Sequence, residues 1–163
     1  MYQLGHYGVA LIAYAPLGIA VSLAGFETAA IIGAVACVGL STLPDCDHRL
    51  PMISHRGPTH TLLFALLVGA GLAGGAALLV DASSSFLDTA LVVFAFSVGV
   101  LSILSHLLAD ALTPMGIRPF WPLSNRHYTL NVTKAANPTA NYVLLGVGIV
   151  TILFAMTVVS VLA

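Results

Sequence analysis

His106 and Asp110 stand four residues apart in an otherwise apolar stretch. At helical pitch this spacing puts an imidazole and a carboxylate on one face, about one turn from each other. The pair can ligate one divalent ion, or the carboxylate can orient the imidazole as a ligand. An ionisable group inside an apolar helix is costly and points to function by default. The bland reading is a helix end already in water with a local ion pair, and the metal reading is favoured over it.

A second concentration of chemistry lies at residues 44–60, which hold Asp45, Asp47, His48, His55, His60, Arg49 and Arg56. Pro44, Pro51, Gly57 and Pro58 stop this stretch from continuing either flanking segment as a helix. Asp45 and Asp47, two apart in an extended stretch, would point the same way and could bridge two ions. The Gly57-Pro58 turn can bring His55 and His60 together, with Thr59 as the expected N-cap of the next helix. His48 competes with its neighbours for the same role, and His6 is a further candidate ligand. Nitrogen and oxygen ligands without an evident thiolate suit Zn²⁺, Mn²⁺ or Fe²⁺. Cys46 reads as a small filler. The candidates outnumber the ligands of one tetrahedral site, so two or three ions are expected. Such a centre would activate water and clamp a phosphoryl oxygen. Arg56 could then hold a phosphate, or serve only as a topology-setting charge, and Asp47 is the expected general base.

The elements that must position these residues are membrane helices. Charged residues make up 7% of the 163-residue chain, 59% is hydrophobic, and the mean hydropathy is +1.03. Soluble domains carry about 25% charged residues, so the chain reads as a single integral membrane domain, all-α. Five segments approach the roughly 20 apolar residues that a span requires: about 8–25, 28–43, 61–80, 86–112 and 142–162. Pro16 is an expected kink in the first, and the glycines of the third permit close helix approach. With five crossings, Arg49, Arg56, Arg118, Arg126 and Lys134 all fall on one side, together with all six histidines. The positive-inside rule makes that side cytoplasmic and the C-terminus external. Phe120 and Trp121 read as an interfacial anchor. No basic tract suits nucleic acid, no basic region suggests a cleaved signal peptide, and the two cysteines do not form a disulfide framework. No repeat stands out.

Several motifs are shared with a known family. Leu43-Pro44-Asp45-x-Asp47-His48, His55-Arg56-Gly57-x-Thr59-His60, His106-x-x-x-Asp110-x-x-Thr113-Pro114-x-Gly116 and Phe120-Trp121-Pro122 resemble the YdjM-like family, as does Gly5-His6 with Gly8. These are bacterial and archaeal membrane proteins described as metal-dependent hydrolases, distantly similar to zinc-dependent phospholipase C and P1-type nucleases. The resemblance implies metal ligation by His6, Asp45, His55 or His60, His106 and Asp110, with Arg56 as a phosphate contact. The chain departs from the soluble enzymes in lacking a second histidine with a glutamate on one helix after residue 112.

The expected function is therefore a membrane-embedded hydrolase of an amphiphilic or phospholipid-like phosphoester, held in the inner membrane with its site at the cytoplasmic face. The alternative is a divalent-metal transporter or sensor, which should carry polar residues near the bilayer midplane. An intramembrane metalloprotease is disfavoured, because no His-Glu-x-x-His pair is present.

Overall fold

The computed structural model describes residues 1–49, 56–80 and 86–163, with only the backbone given at 48 and 49. Among the described residues there are five α-helices: α1 Gln3–Leu23, α2 Glu27–Leu40, α3 Leu62–Ala77, α4 Phe86–Ala111 and α5 Pro138–Leu162. Short 3₁₀ turns at Pro44–Arg49 and Pro58–His60 connect α2 to α3. No strand forms among these residues, only an isolated antiparallel pairing of Ile117 with Tyr128. α1, α4 and α5, and α2 with the turn that extends it, are long and apolar enough to cross a membrane. α3 has 16 residues, or about 24 Å at 1.5 Å per residue, short of a hydrocarbon core of about 30 Å.

The packing follows from where the small residues lie. α1 is central and packs against α2, α4 and α5, while α4 also packs on α2 and α3. α1 meets α5 through glycines: a Cβ at Gly8 would collide with the Leu144 backbone, and one at Gly148 would lie 2.6 Å from the Gly8 carbonyl oxygen. α3 crosses α4 in the same way, since a Cβ at Gly99 would lie 2.8 Å from the Gly69 Cα. Close backbone approach of this kind supplies dispersion where lipid offers no hydrophobic drive. Buried hydroxyls fasten the rest. Tyr14 donates to the Ala30 carbonyl at 2.7 Å, and Ser102 donates to the Cys37 carbonyl at 2.7 Å.

Two helices begin earlier than hydropathy alone indicates. α1 starts at Gln3 rather than near residue 8, and α5 at Pro138 rather than near 142. Both first turns are polar, because they stand at the end of the bundle where the polar side chains gather. Asn137 caps α5 by accepting from the Ala140 N–H, with Pro138 inside the first turn. Buried Asn141 ties the two starts together, accepting from the Tyr2 N–H at 3.1 Å and donating to the Ala135 and Asn137 carbonyls. α2 and α3 end short of expectation, at Leu40 and Ala77.

Candidate metal centre

The N-terminal ends of α1 and α3 and the C-terminal ends of α2 and α4 meet at one end of the bundle. Asp45, His60, His106 and Asp110 converge there, each offering one ligand atom, with all four atoms within 4.8 Å of one another. Three are fully enclosed, and the Asp45 side chain is 28% exposed, so the cluster opens to the outside across Asp45.

Hydrogen bonds fix what each histidine presents. His106 Nδ1 lies 2.6 Å from the Ser41 carbonyl oxygen, which can only accept, so Nδ1 carries the proton and, in the neutral ring, Nε2 presents a lone pair. Thr59 Oγ1 donates to Asp47 Oδ2 at 3.1 Å and lies 3.0 Å from His60 Nδ1. With the Thr59 proton committed to Asp47, His60 Nδ1 is the donor and its Nε2 also faces inward. The two Nε2 atoms are 3.1 Å apart, and each is 3.5–3.6 Å from Asp45 Oδ1 and Asp110 Oδ2. Two imidazole nitrogens and two carboxylate oxygens at this range are compatible only with a positive charge among them, either a metal ion or a proton on one Nε2.

His6 completes the far side. Its ring stacks on His106 with centroids 4.0 Å apart and planes inclined by 5°. Its Nε2 lies 3.8 Å from Asp45 Oδ2 and 3.8 Å from Asp110 Oδ1, the carboxylate oxygens turned away from His60. Both ring nitrogens of His6 and Asp110 Oδ2 are buried without a hydrogen-bond partner among the described residues. Buried polar groups are nearly always satisfied, and a divalent ion among Asp45, His60 and His106 would satisfy Asp110 Oδ2. The donor set fits such an ion.

Cations on the protein hold the carboxylates. Arg56 donates from Nη2 to Asp110 Oδ1 at 2.8 Å and from Nη1 to the Gly116 carbonyl at 2.9 Å. The amino terminus of Met1 also donates to Asp110 Oδ1 at 2.8 Å. Arg56 adopts φ of +59°, a conformation that non-glycine residues seldom take. Its N–H to Asp47 Oδ2 and its guanidinium to Asp110 hold it there. Thr113 braces the corner, donating to the Asp110 carbonyl. Burial disfavours a charged His60, but the nearby carboxylates of Asp110, Asp45 and Asp47 outweigh it and raise its pKa above the ordinary histidine value.

Several sequence expectations are resolved or corrected by this geometry. Asp45 and Asp47 lie on a 3₁₀ turn, not an extended stretch, so with about three residues per turn they diverge by about a third of a turn. Asp45 faces the cluster, and Asp47 stands behind His60, 3.4 Å from Nδ1. Thr61, not Thr59, caps α3 by accepting from the Phe64 N–H, leaving Thr59 to link Asp47 with His60. His6, Asp45, His60, His106 and Asp110 are brought together, with Arg56 and Asp47 behind them. His55 and the side chain of His48 lie outside the described residues. His127 is elsewhere, exposed and bonded to the Met115 carbonyl. Ser41, Thr59 and Thr113 were not anticipated as supports; Thr59 and Thr113 stand inside the motifs, but only the fold reveals their partners.

Neither the curated proteins nor the solved structures include a significant match to this chain. A family model does match, described as YdjM inner membrane protein and covering residues 1–163. The chain therefore belongs to the YdjM inner membrane protein family.

Proposed function

We propose that the protein is a membrane-embedded, metal-dependent hydrolase acting on the phosphoester of a lipid or other amphiphile. The observation that carries this reading is the convergence of the His60 and His106 Nε2 atoms, 3.1 Å apart, with one oxygen each of Asp45 and Asp110. Asp45 and Asp110 each turn one oxygen to His60 and His106 and the other toward His6. One ion would be held by His60, His106, Asp45 and Asp110, and His6 with the outer Asp45 oxygen would help to hold a second, with zinc the best match to the donors. Ions held there supply Lewis-acid polarisation of a phosphoryl oxygen and a nucleophile from water at neutral pH.

The chain's own residues do the positioning. Asp47 and Thr59 orient His60, and the Ser41 carbonyl orients His106. Arg56 spends both Nη atoms on the protein, so we assign it to holding Asp110 rather than to gripping substrate. We likewise assign Asp47 to orientation rather than to general base chemistry, since Oδ2 already accepts from Arg56 and Thr59. Substrate would approach across half-open Asp45, at the end of the bundle where headgroups lie. In this reading that end is cytoplasmic, because the basic residues fall in its connections.

The test is phosphate release from a panel of phospholipids and isoprenoid phosphates by purified protein supplied with Zn²⁺ or Mn²⁺. Release that disappears in His106→Ala supports the reading. No turnover across the panel, with metal bound, contradicts it and leaves a metal-binding protein without hydrolytic activity.

A further inference from the structure

The connection between α4 and α5 carries Arg118, Arg126 and Lys134 and no acidic residue. All three are exposed, and none is ion-paired among the described residues. Arg126 lies over the Tyr128 ring, 5.4 Å from its centroid. Large apolar side chains stand exposed beside and between these cations in the sequence: Met115, Phe120, Trp121, Leu130 and Val132, with Leu123 94% exposed. The backbone beneath them is firmly held. Leu62 N–H donates to the Pro119 carbonyl, Ile117 and Tyr128 exchange two bonds at 2.9 Å, and Leu130 N–H donates to the Ala111 carbonyl at 2.7 Å.

A pinned segment that turns several large apolar groups outward is unusual for a surface in bulk water. Aromatic residues settle at the headgroup level of a bilayer, and clustered arginine and lysine are drawn to anionic lipid. We infer that residues 114–134 form a surface that lies in the headgroup layer and gathers anionic phospholipid. An acidic soluble partner would satisfy the charges yet leave Leu123 and Val132 against water, so the bilayer is the better occupant. This inference does not rest on the metal reading, and either can fail without the other.

Trp121 is the single tryptophan of the chain, so intrinsic fluorescence reports on this surface directly. The protein is reconstituted in phosphatidylcholine vesicles containing a fixed fraction of phosphatidylglycerol. Bromine quencher is carried on one lipid class or the other at equal mole fraction. Brominated phosphatidylglycerol should quench Trp121 at least about twofold more strongly than brominated phosphatidylcholine. Raised ionic strength should shrink that preference in the unaltered protein. Combining Arg118→Gln, Arg126→Gln and Lys134→Gln should make the two lipids quench alike while both still quench. Equal quenching in the unaltered protein, selectivity indifferent to salt, or selectivity that survives the triple substitution overturns the inference. A Trp121 shielded from both lipids indicates a protein on this surface and overturns it as well.

Discussion

α4 and α5 are nearly matched as membrane helices, at 26 and 25 residues with mean hydropathies of 2.3 and 2.5. Their surroundings differ. Of the most apolar 18 residues of α4, 39% are buried, against 11% in α5. α4 packs on three helices and buries Ser102, Ser105, His106 and Asp110, whereas α5 packs mainly on α1 through the Gly8–Gly148 crossing. Equal greasiness therefore conceals two jobs. α4 brings polar groups to partners on α2 and in the adjoining turns, and α5 presents Leu153, Phe154 and Met156 outward to lipid.

The comparison breaks most sharply at Asp110. Asp110→Asn leaves the Arg56 guanidinium buried beside a neutral amide, and removing one partner of a buried pair costs about 3–5 kcal/mol. Unfolding in detergent should register that loss, and metal binding should go with it. Asp47→Asn lies one step back from the cluster. It weakens the hold on His60 Nδ1, so metal affinity should drop about 10–100-fold by titration calorimetry, with the helices intact by circular dichroism.

Along α5 the expected effects shrink. Gly148→Val forces a side chain against the Gly8 carbonyl and should cost about 1–3 kcal/mol as an overpacked crossing. Phe154→Leu, on the lipid face, should stay within about 0.5 kcal/mol. A large loss at Phe154 in the same unfolding assay would mean that α5 has a partner and that the contrast with α4 is overstated.

The contrast can be sharpened with pH, because the cluster at the α4 end contains histidines and α5 contains none. Binding an ion requires His60 Nε2 free of its proton, and the His60 pKa is raised by Asp110 and Asp45 against the opposing pull of burial. Metal affinity should therefore weaken as pH falls through that raised value, by up to about tenfold per pH unit, and level off above it. Affinity measured across this range checks the sign.

Much of this arrangement is legible in the residues themselves. Hydropathy alone finds the helices, and the four-residue spacing of His106 and Asp110 marks the working face of α4. The loop carrying Asp45 and His60 is conspicuous because charge is scarce elsewhere. What stays hidden is local geometry. Whether Asp45 and Asp47 share a face depends on an extended or a 3₁₀ backbone, and two residues of sequence do not decide between them. The first turn of α1 is polar, so hydropathy trims it from the helix, although that turn carries His6 to its stack on His106. The left-handed position falls on Arg56 while glycine sits next door, because the bonds that Arg56 donates to Asp47 and Asp110 outweigh intrinsic preference.

The central claim is that side chains from α1, α4 and the two turns between α2 and α3 jointly hold divalent cations. Elemental analysis of detergent-purified protein, saturated with Zn²⁺ and then freed of loosely bound ion, tests it most directly when His106→Ala is measured alongside. The account predicts two ions per chain in the unaltered protein and a loss of bound metal in the variant. A chain that retains no metal after saturation, or a variant that binds as much as its parent, would contradict it.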